Sequence, residues 1–577
     1  MNGAGACIVQ RDLTVLLEKE HPGFEQAKLQ LACFAELVKS PALFHTYRIT
    51  PLSLWNAAAD GWTADDVVDR LRNMARWEVP GKVISDIHTW ISRYGSLALI
   101  KIQDAPDMLC LEARGTSPSL LSQLEKEPAL SPFRLQRDGS FRLRFPAVFR
   151  GLLKQETARL GYPVIDEAGY HRGHTLPLAL RTQLSDGRPF ALRDYQMEGV
   201  QAFAGSINSN GKQGIGGSGV IVLPCGAGKT VVGIAALERL QCETLILTSN
   251  VTSVRQWIAE ICQKTTLSRE EVGEYSGDRK QVRPVTVSTY QILTHRYRKE
   301  EEFKHMSLFN ERDWGLIIYD EVHLLPAPVF RATAEIQATR RLGLTATLVR
   351  EDGCERDVFS LIGPKLYEVP WRELEERGHI AQVECQEIQI QMSASLREKY
   401  EAVQGRDKFR IAAENPRKIV WLQKLLHLHE DRQILIIGQY LQQLTQVADV
   451  LQAPLIIGST PQKERVRLFQ AFRERRIQVL VVSKVANFAV DLPDASVAVQ
   501  ISGSFGSRQE EAQRLGRILR PKMSGDVAYF YSLVSADSRE QHFALRRQLF
   551  LVEQGYEYSI HSDDASCLET VTRKEAH

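Results

Sequence analysis

The chain of 577 residues has no apolar run approaching the roughly 18 residues that a membrane-crossing helix requires, so no membrane span is expected. Its nine cysteines (Cys7, Cys33, Cys110, Cys225, Cys242, Cys262, Cys354, Cys385 and Cys567) are scattered without a C-x-x-C pair. That argues against a zinc ribbon or a disulfide framework and fits a reducing compartment. Charge of either sign is nearly cancelled, with 72 Lys and Arg against 70 Asp and Glu. At net +2, any hold on an anionic polymer must come from local basic surface. The opening MNGAGACIVQRD lacks the charged-then-apolar order of a signal peptide, so a cytoplasmic location is expected. Internal repeats are absent, and the low-complexity stretch SINSNGKQGIGGSGV, 206–220, reads as a surface loop. What is present, 44% hydrophobic and 25% charged residues, is ordinary globular composition. The length implies about three or four domains.

Residues 1–185 read as a separate α+β region. TADDVVDRLRNMARW offers Thr63 as N-cap and Val67, Val68, Leu71 and Ala75 on one helical face. KVISDIHTWISRYG repeats the pattern through Val83, Ile84, Ile87, Trp90 and Ile91, with Gly95 as C-cap. SLALIKIQDAPDMLCLEA follows as a hairpin, which makes 1–114 a winged-helix-like unit. A second hairpin around Asp138-Gly139 and a helix closed by Gly161 form a small subdomain, 115–185. Trp55, Trp62, Trp77 and Trp90 read as core packing, because Trp90 falls on the apolar helical face.

From about residue 190 the texture changes. GVIVLP, TLILTS, PVTVST, GLIIYD and RLGLTAT are short apolar strands, each followed by polar or helical sequence. After WRELEERGHIAQ the pattern restarts with QILIIG, APLIIG, QVLVVS, VAVQIS and VAYFYSLV. The fold class is therefore α/β, with two tandem doubly wound parallel-sheet domains at 186–370 and 371–545. A polar tail, 546–577, is expected to fray.

VIVLPCGAGKT is a strand running into a glycine turn, with Lys-Thr opening a helix. That is the physical requirement of a phosphate loop: backbone N–H groups and a helix N-terminus aimed at an anion. Leu223, Pro224, Cys225, Gly226, Ala227 and Gly228 form the loop, Lys229 reaches the outer phosphates, and Thr230 holds Mg²⁺. The strict motif has glycine where this chain has Leu223. YDEVH puts Asp320 and Glu321 at the end of another apolar strand, where unpaired carboxylates are costly to desolvate. A metal makes the pair affordable, with Asp320 on Mg²⁺ and Glu321 polarising water. His323 either relays to the next motif or closes a hydrogen-bond network. Upstream, LRDYQ supplies Arg193 and Gln196, and a glutamine meets both the donor and the acceptor edge of adenine. In QEEAQRLGRILRPK, Gln513, Arg517 and Arg520 share one helical face. Such arginines can act as fingers on a terminal phosphoryl group carried by another domain.

LRDYQ, PCGAGKT, LTSNVTSVRQW, VSTYQIL, YDEVHLLPAPVFR, GLTATLVRED, VLVVSKVANFAVDLP and SFGSRQEEAQRLGRILRPK come one after another over about 190–535. In that order they resemble superfamily 2 helicases, and XPB-type DNA helicases closely. HTYRITPLSLWNAA, 45–58, is similar to the N-terminal region of bacterial members. The resemblance implies RecA-like domains, ATP and Mg²⁺ as cofactors, and DNA at a single-strand/duplex junction. It also implies a nuclease or other repair protein as partner. By position it assigns coupling to His323, Thr345, Thr347 and Asp491, and DNA contact to Ser249, Trp257, Thr289, Arg350, Glu351 and Asp352. It further implies a damage-recognition-like character for 115–185 and a thumb-like insertion near 393–415, with Arg397, Lys399, Arg406, Lys408 and Arg410 available to a DNA backbone. The function implied is a 3′–5′ DNA helicase or translocase serving repair. A duplex translocase or ATP-switched recruitment module without processive strand separation stays open, and an RNA helicase is disfavoured.

Overall fold

A computed structural model describes residues 5–39, 43–115, 119–205, 216–224, 226–296, 303–337, 339–346, 355–378, 383–483, 495–503, 527–553 and 558–563. These fall into two compact units. The first comprises Met1–Leu223 and Gly228–Glu368; the second is Val369–His577, with which Pro224–Ala227 are grouped.

The first unit begins with an antiparallel sheet in the order β1-β2-β4-β3, built from Cys7–Val9, Thr14–Glu18, Glu36–Lys39 and Phe44–Arg48. Helices Pro51–Ala59 and Ala64–Met74 come next, opened by Thr50 and Thr63. Each threonine closes a reciprocal capping box that satisfies two orphan amides. Helix Gly81–Arg93 buries Val83, Ile87 and Ile91, and Gly95 takes the expected left-handed conformation just beyond it. β5 (Leu97–Lys101) and β6 (Met108–Ala113) form the expected hairpin. They belong, however, to a five-stranded sheet with β7 (Gln136–Arg137), β8 (Arg142–Pro146) and β9 (Val164–Asp166), in the order β7-β8-β6-β5-β9. The boundary expected at 114 therefore cuts through a continuous ladder, and a winged-helix-like unit ending there does not stand alone. Of the four early tryptophans, Trp55 is fully buried, but Trp77 is 59% exposed and not core.

Helix Arg150–Arg159 fastens this region to the remainder of the unit. A Cβ on Gly151 would lie 2.3 Å from the carbonyl oxygen of Ala334, so only glycine admits the approach. Lys154 donates to Asp166 at 3.0 Å and to Gln337 at 2.9 Å, and Arg150 makes a fork to the same aspartate. Burial pushes the Lys154 ammonium down to about 8, with Asp166 opposing the shift. The carboxyl of Asp166 resists its own burial because Lys154 and Arg150 hold it far below the usual range.

A seven-stranded sheet completes the unit: β10 (Ser218–Val222), β11 (Thr244–Thr248), β12 (Val272–Tyr275), β13 (Val285–Thr289), β14 (Leu316–Asp320), β15 (Arg340–Thr345) and β16 (Lys365–Glu368). Their order is β12-β13-β11-β14-β15-β10-β16, and every pairing is parallel. Its central strands are apolar because helices cover both faces. The second unit repeats the plan with β17 (Val383–Ile390), β18 (Ile434–Gly438), β19 (Leu455–Ile456), β20 (Val479–Ser483), β21 (Val497–Gln500), β22 (Ala528–Ser535) and β23 (Tyr558–Ser562). The order is β19-β20-β18-β21-β22-β17-β23, again parallel throughout. Two RecA-like sheets are thus present. The tail expected from 546 is corrected: helix Arg539–Glu553 crosses that boundary and β23 pairs with β17.

The thumb-like segment is helical, Ala394–Ala402 and Gly405–Ala413. Its cations are largely engaged within the unit. Arg397 donates to the carbonyls of Ala536 and Asp537, Lys408 to Glu401, and Arg410 to Glu414.

Candidate active site

β10 delivers the chain into the glycine turn and helix Lys229–Leu240 leaves it. Gly226 and Gly228 have φ of +85° and +83°, the left-handed region where glycine carries no side-chain penalty. At Gly228 a Cβ would also lie 2.6 Å from Nε2 of Gln196. Gln196 is buried, and its Oε1 accepts the Arg193 N–H at 3.0 Å at the start of helix Asp194–Ala204. The nucleobase-reading candidate is therefore held beside the turn by its own carbonyl. Leu223, where the strict motif has glycine, is fully buried, and its N–H donates to the Thr345 carbonyl at 2.9 Å. The Leu is tolerated because it extends the β10–β15 ladder into the core. Ala227 closes on Pro224 through a 3.2 Å backbone bond, whereas Cys225 lies outside the described residues.

Lys229 Nζ donates to Glu321 Oε1 at 2.7 Å. Glu321 comes directly after β14 with φ of +54°, which turns its side chain out of the strand path at a strained backbone position. The adjacent Asp320 is fixed twice. The indole N–H of Trp257 donates to its Oδ2 at 2.9 Å, and the Tyr290 hydroxyl donates to its backbone carbonyl at 2.9 Å. Burial and the neighbouring Glu321 charge push Asp320 up to about 6. Burial works the same way on Glu321, but Lys229 and His323 outweigh it and hold that carboxyl below the usual range. His323 Nδ1 is 2.7 Å from the Thr345 hydroxyl and 3.6 Å from Glu321. The histidine thus links the strand ends of β14 and β15, one strand away from the glycine turn.

The donor set fits a hard divalent cation. Asp320 ends β14 and Thr230 opens the helix after the glycine turn, and no group of three or more His, Cys, Asp or Glu gathers among the described residues. Mg²⁺ is characteristically held by one or two carboxylates together with phosphate oxygens and water, not by an all-protein cage.

Not every expected residue joins this cluster. Trp257 and Thr289 were expected on a DNA path, but both are buried, at 1% and 2% exposure. The indole serves Asp320, and the Thr289 hydroxyl caps helix Tyr290–Leu293 by accepting from Ile292 N–H. Ser249 is half-buried and accepts from Asn250 at 3.1 Å. Thr347, Arg350, Glu351, Asp352, Asp491, Gln513, Arg517 and Arg520 lie outside the described residues. Tyr290 and the structural task of Trp257 were missed. The spacing Val254, Trp257, Ile258, Ile261 could have signalled the buried face of helix Val251–Lys264.

Family models match at three places: the ERCC3/RAD25/XPB C-terminal helicase over 374–575, the res subunit of type III restriction enzymes over 189–350, and a helicase conserved C-terminal domain over 7–138. A Kineococcus radiotolerans protein named DNA 3′-5′ helicase XPB is 48% identical, covering 96% of both chains. The chain belongs to the XPB helicase family. A Mycobacterium tuberculosis relative of the same name is 48% identical over 97% of this chain and 98% of its own. In Saccharomyces cerevisiae, the general transcription and DNA repair factor IIH helicase/translocase subunit XPB/SSL2 is 33% identical over 95% of this chain and 71% of its own. The likeness extends through the N-terminal region, so that region belongs to the family pattern too. No described helix is long and apolar enough to cross a membrane.

Proposed function

We propose that the chain hydrolyses ATP to move 3′ to 5′ on DNA and open its strands, and that it serves DNA repair in the cytoplasm with a nuclease or other repair protein as partner. The observation that carries this reading is the Lys229–Glu321 pair beside Asp320, at the C-terminal ends of parallel strands where α/β proteins bind ligands. Lys229 neutralises Glu321, and the oxygens of a triphosphate compete for the same ammonium. Phosphate binding therefore draws Lys229 away and leaves an ionised carboxylate to orient the attacking water. Mg²⁺, held by Thr230 and Asp320, supplies neutralisation of charge on the phosphates. Gln196 and Arg193 select the base. His323 and Thr345 pass the state of Glu321 to β15, and Thr347 lies two residues further on.

Arg517 and Arg520 act as arginine fingers with Gln513 beside them, and Asp491 joins the coupling set. Arg350, Glu351, Asp352 and Ser249 contact DNA without reading its sequence. A second reading, translocation on duplex without processive separation, is favoured by the "helicase/translocase" in the name of the yeast relative.

One pair of assays separates the readings: ATPase rates with single-stranded, duplex and forked DNA and with RNA, and strand displacement on duplexes carrying a 3′ or a 5′ tail. Stimulation by DNA with displacement from the 3′ tail is expected. Stimulation without displacement selects the second reading, and preference for RNA overturns both.

A further inference from the structure

The buried tryptophan of helix Val251–Lys264 performs a task that the ATP-site assignments do not include. Its N–H donates at 2.9 Å to Oδ2 of Asp320, a bond between a fixed ring and one oxygen of the carboxylate. The ring is fixed from the other side by the helix that leaves the glycine turn. A Cβ on Gly233 would lie 2.5 Å from Cη2 of Trp257, so that helix carries glycine where the indole presses against it. The same imagined Cβ would stand 3.2 Å from Leu344 of β15, which closes the slot. Tyr290 holds the Asp320 backbone, and Trp257 holds its side chain. One oxygen of the carboxylate is thus occupied by a donor that cannot swing away, which fixes the rotation of the whole group.

We infer that Trp257 is the positioning residue for the metal carboxylate: its indole N–H sets the rotation of Asp320, and Gly233 exists to admit the ring. The inference rests on the proposed reading of Asp320 as the Mg²⁺ carboxylate and adds the group that aims it. A hydrogen bond to a metal-binding carboxylate from outside the coordination sphere characteristically governs affinity by ~10–100-fold.

The test is nucleotide binding, followed by fluorescence of a labelled ATP analogue as Mg²⁺ is titrated into the full chain, with parallel binding in EDTA. Trp257→Phe keeps a ring but deletes the N–H. Benzothienylalanine placed at 257 keeps the bicyclic outline and replaces the N–H with sulfur, which covers the case where Phe perturbs folding. Both variants should raise the Mg²⁺ midpoint by roughly tenfold or more while leaving the metal-free nucleotide affinity within about twofold. An unchanged midpoint in the benzothienylalanine protein overturns the inference, as does an equal loss of binding in EDTA, which would mark a packing role. If the unsubstituted chain binds nucleotide with no Mg²⁺ dependence, the parent reading of Asp320 fails, and the inference falls with it.

Discussion

At the scale of single residues, the candidate ATP site was legible where chemistry demands a particular side chain. Lys229, Asp320, Glu321 and His323 were expected, and the structure brings all four together. What was not legible was which neighbours hold them. Trp257 carries the same letter whether it stacks on a base or braces a carboxylate, and only its burial distinguishes the two. Lys229→Ala should abolish hydrolysis while the fold persists; turnover near the unsubstituted rate would refute the phosphate-loop assignment. Arg517→Ala should spare nucleotide binding and cut hydrolysis by roughly 10³-fold, the magnitude typical of an arginine finger. A loss below about tenfold would place the finger elsewhere.

At the scale of elements, strands announced themselves when they were central and apolar. β11, β13, β14, β18, β19, β20 and β21 fall inside the expected runs, and β10, β15 and β22 overrun theirs by a single residue. β12, β16 and β23 did not announce themselves. They pair on one side only, at the margins of their sheets, and carry polar residues that blur the period. β17, with the sequence VECQEIQI, was hidden for a different reason: its buried Glu387 is satisfied by Gln389 and Tyr558, partners that no local pattern reveals. Sequence signals are local, whereas the pairing of β5–β6 with β8 and β9 spans up to some seventy residues, so the subdomain boundary was misplaced. Helix Arg150–Arg159 offers a test of how tightly the early sheet is joined to the P-loop sheet. Gly151→Ala drives a methyl group into the Ala334 backbone. It should cost about 1–3 kcal/mol in denaturant unfolding, the usual penalty of overpacking. A change below about 0.5 kcal/mol would show that the helix shifts freely.

At the scale of the whole molecule, each unit holds a histidine whose burial lowers its basicity and should weaken the fold in acid. His45 of β4 and His429 after helix Arg417–Leu428 are both pushed down to about 4, chiefly by burial, with Lys28 and Arg432 respectively adding to it. In the unfolded chain each would accept a proton below its ordinary value of 6.5. The unfolded state therefore binds more protons as pH falls from 6.5 towards 4, and folding stability declines through that window, by up to roughly 3 kcal/mol for each histidine. Urea unfolding at pH 7 and pH 5 measures the slope. His429→Gln, which retains a polar partner for Tyr531, should flatten it for the second unit; an unaltered slope would assign the acid loss to other groups.

The pairing of β17 has a consequence for the chain during its synthesis. Both neighbours of this strand, β22 and β23, are encoded well over a hundred residues after it. At ~5–20 residues per second, the nascent strand waits on the order of ten seconds with its amides open. A strand of valine and isoleucine alone would invite neighbouring ribosomes' products to zip onto it. The glutamates and glutamines that concealed β17 as a strand should act as gatekeepers that keep it soluble until its own partners arrive.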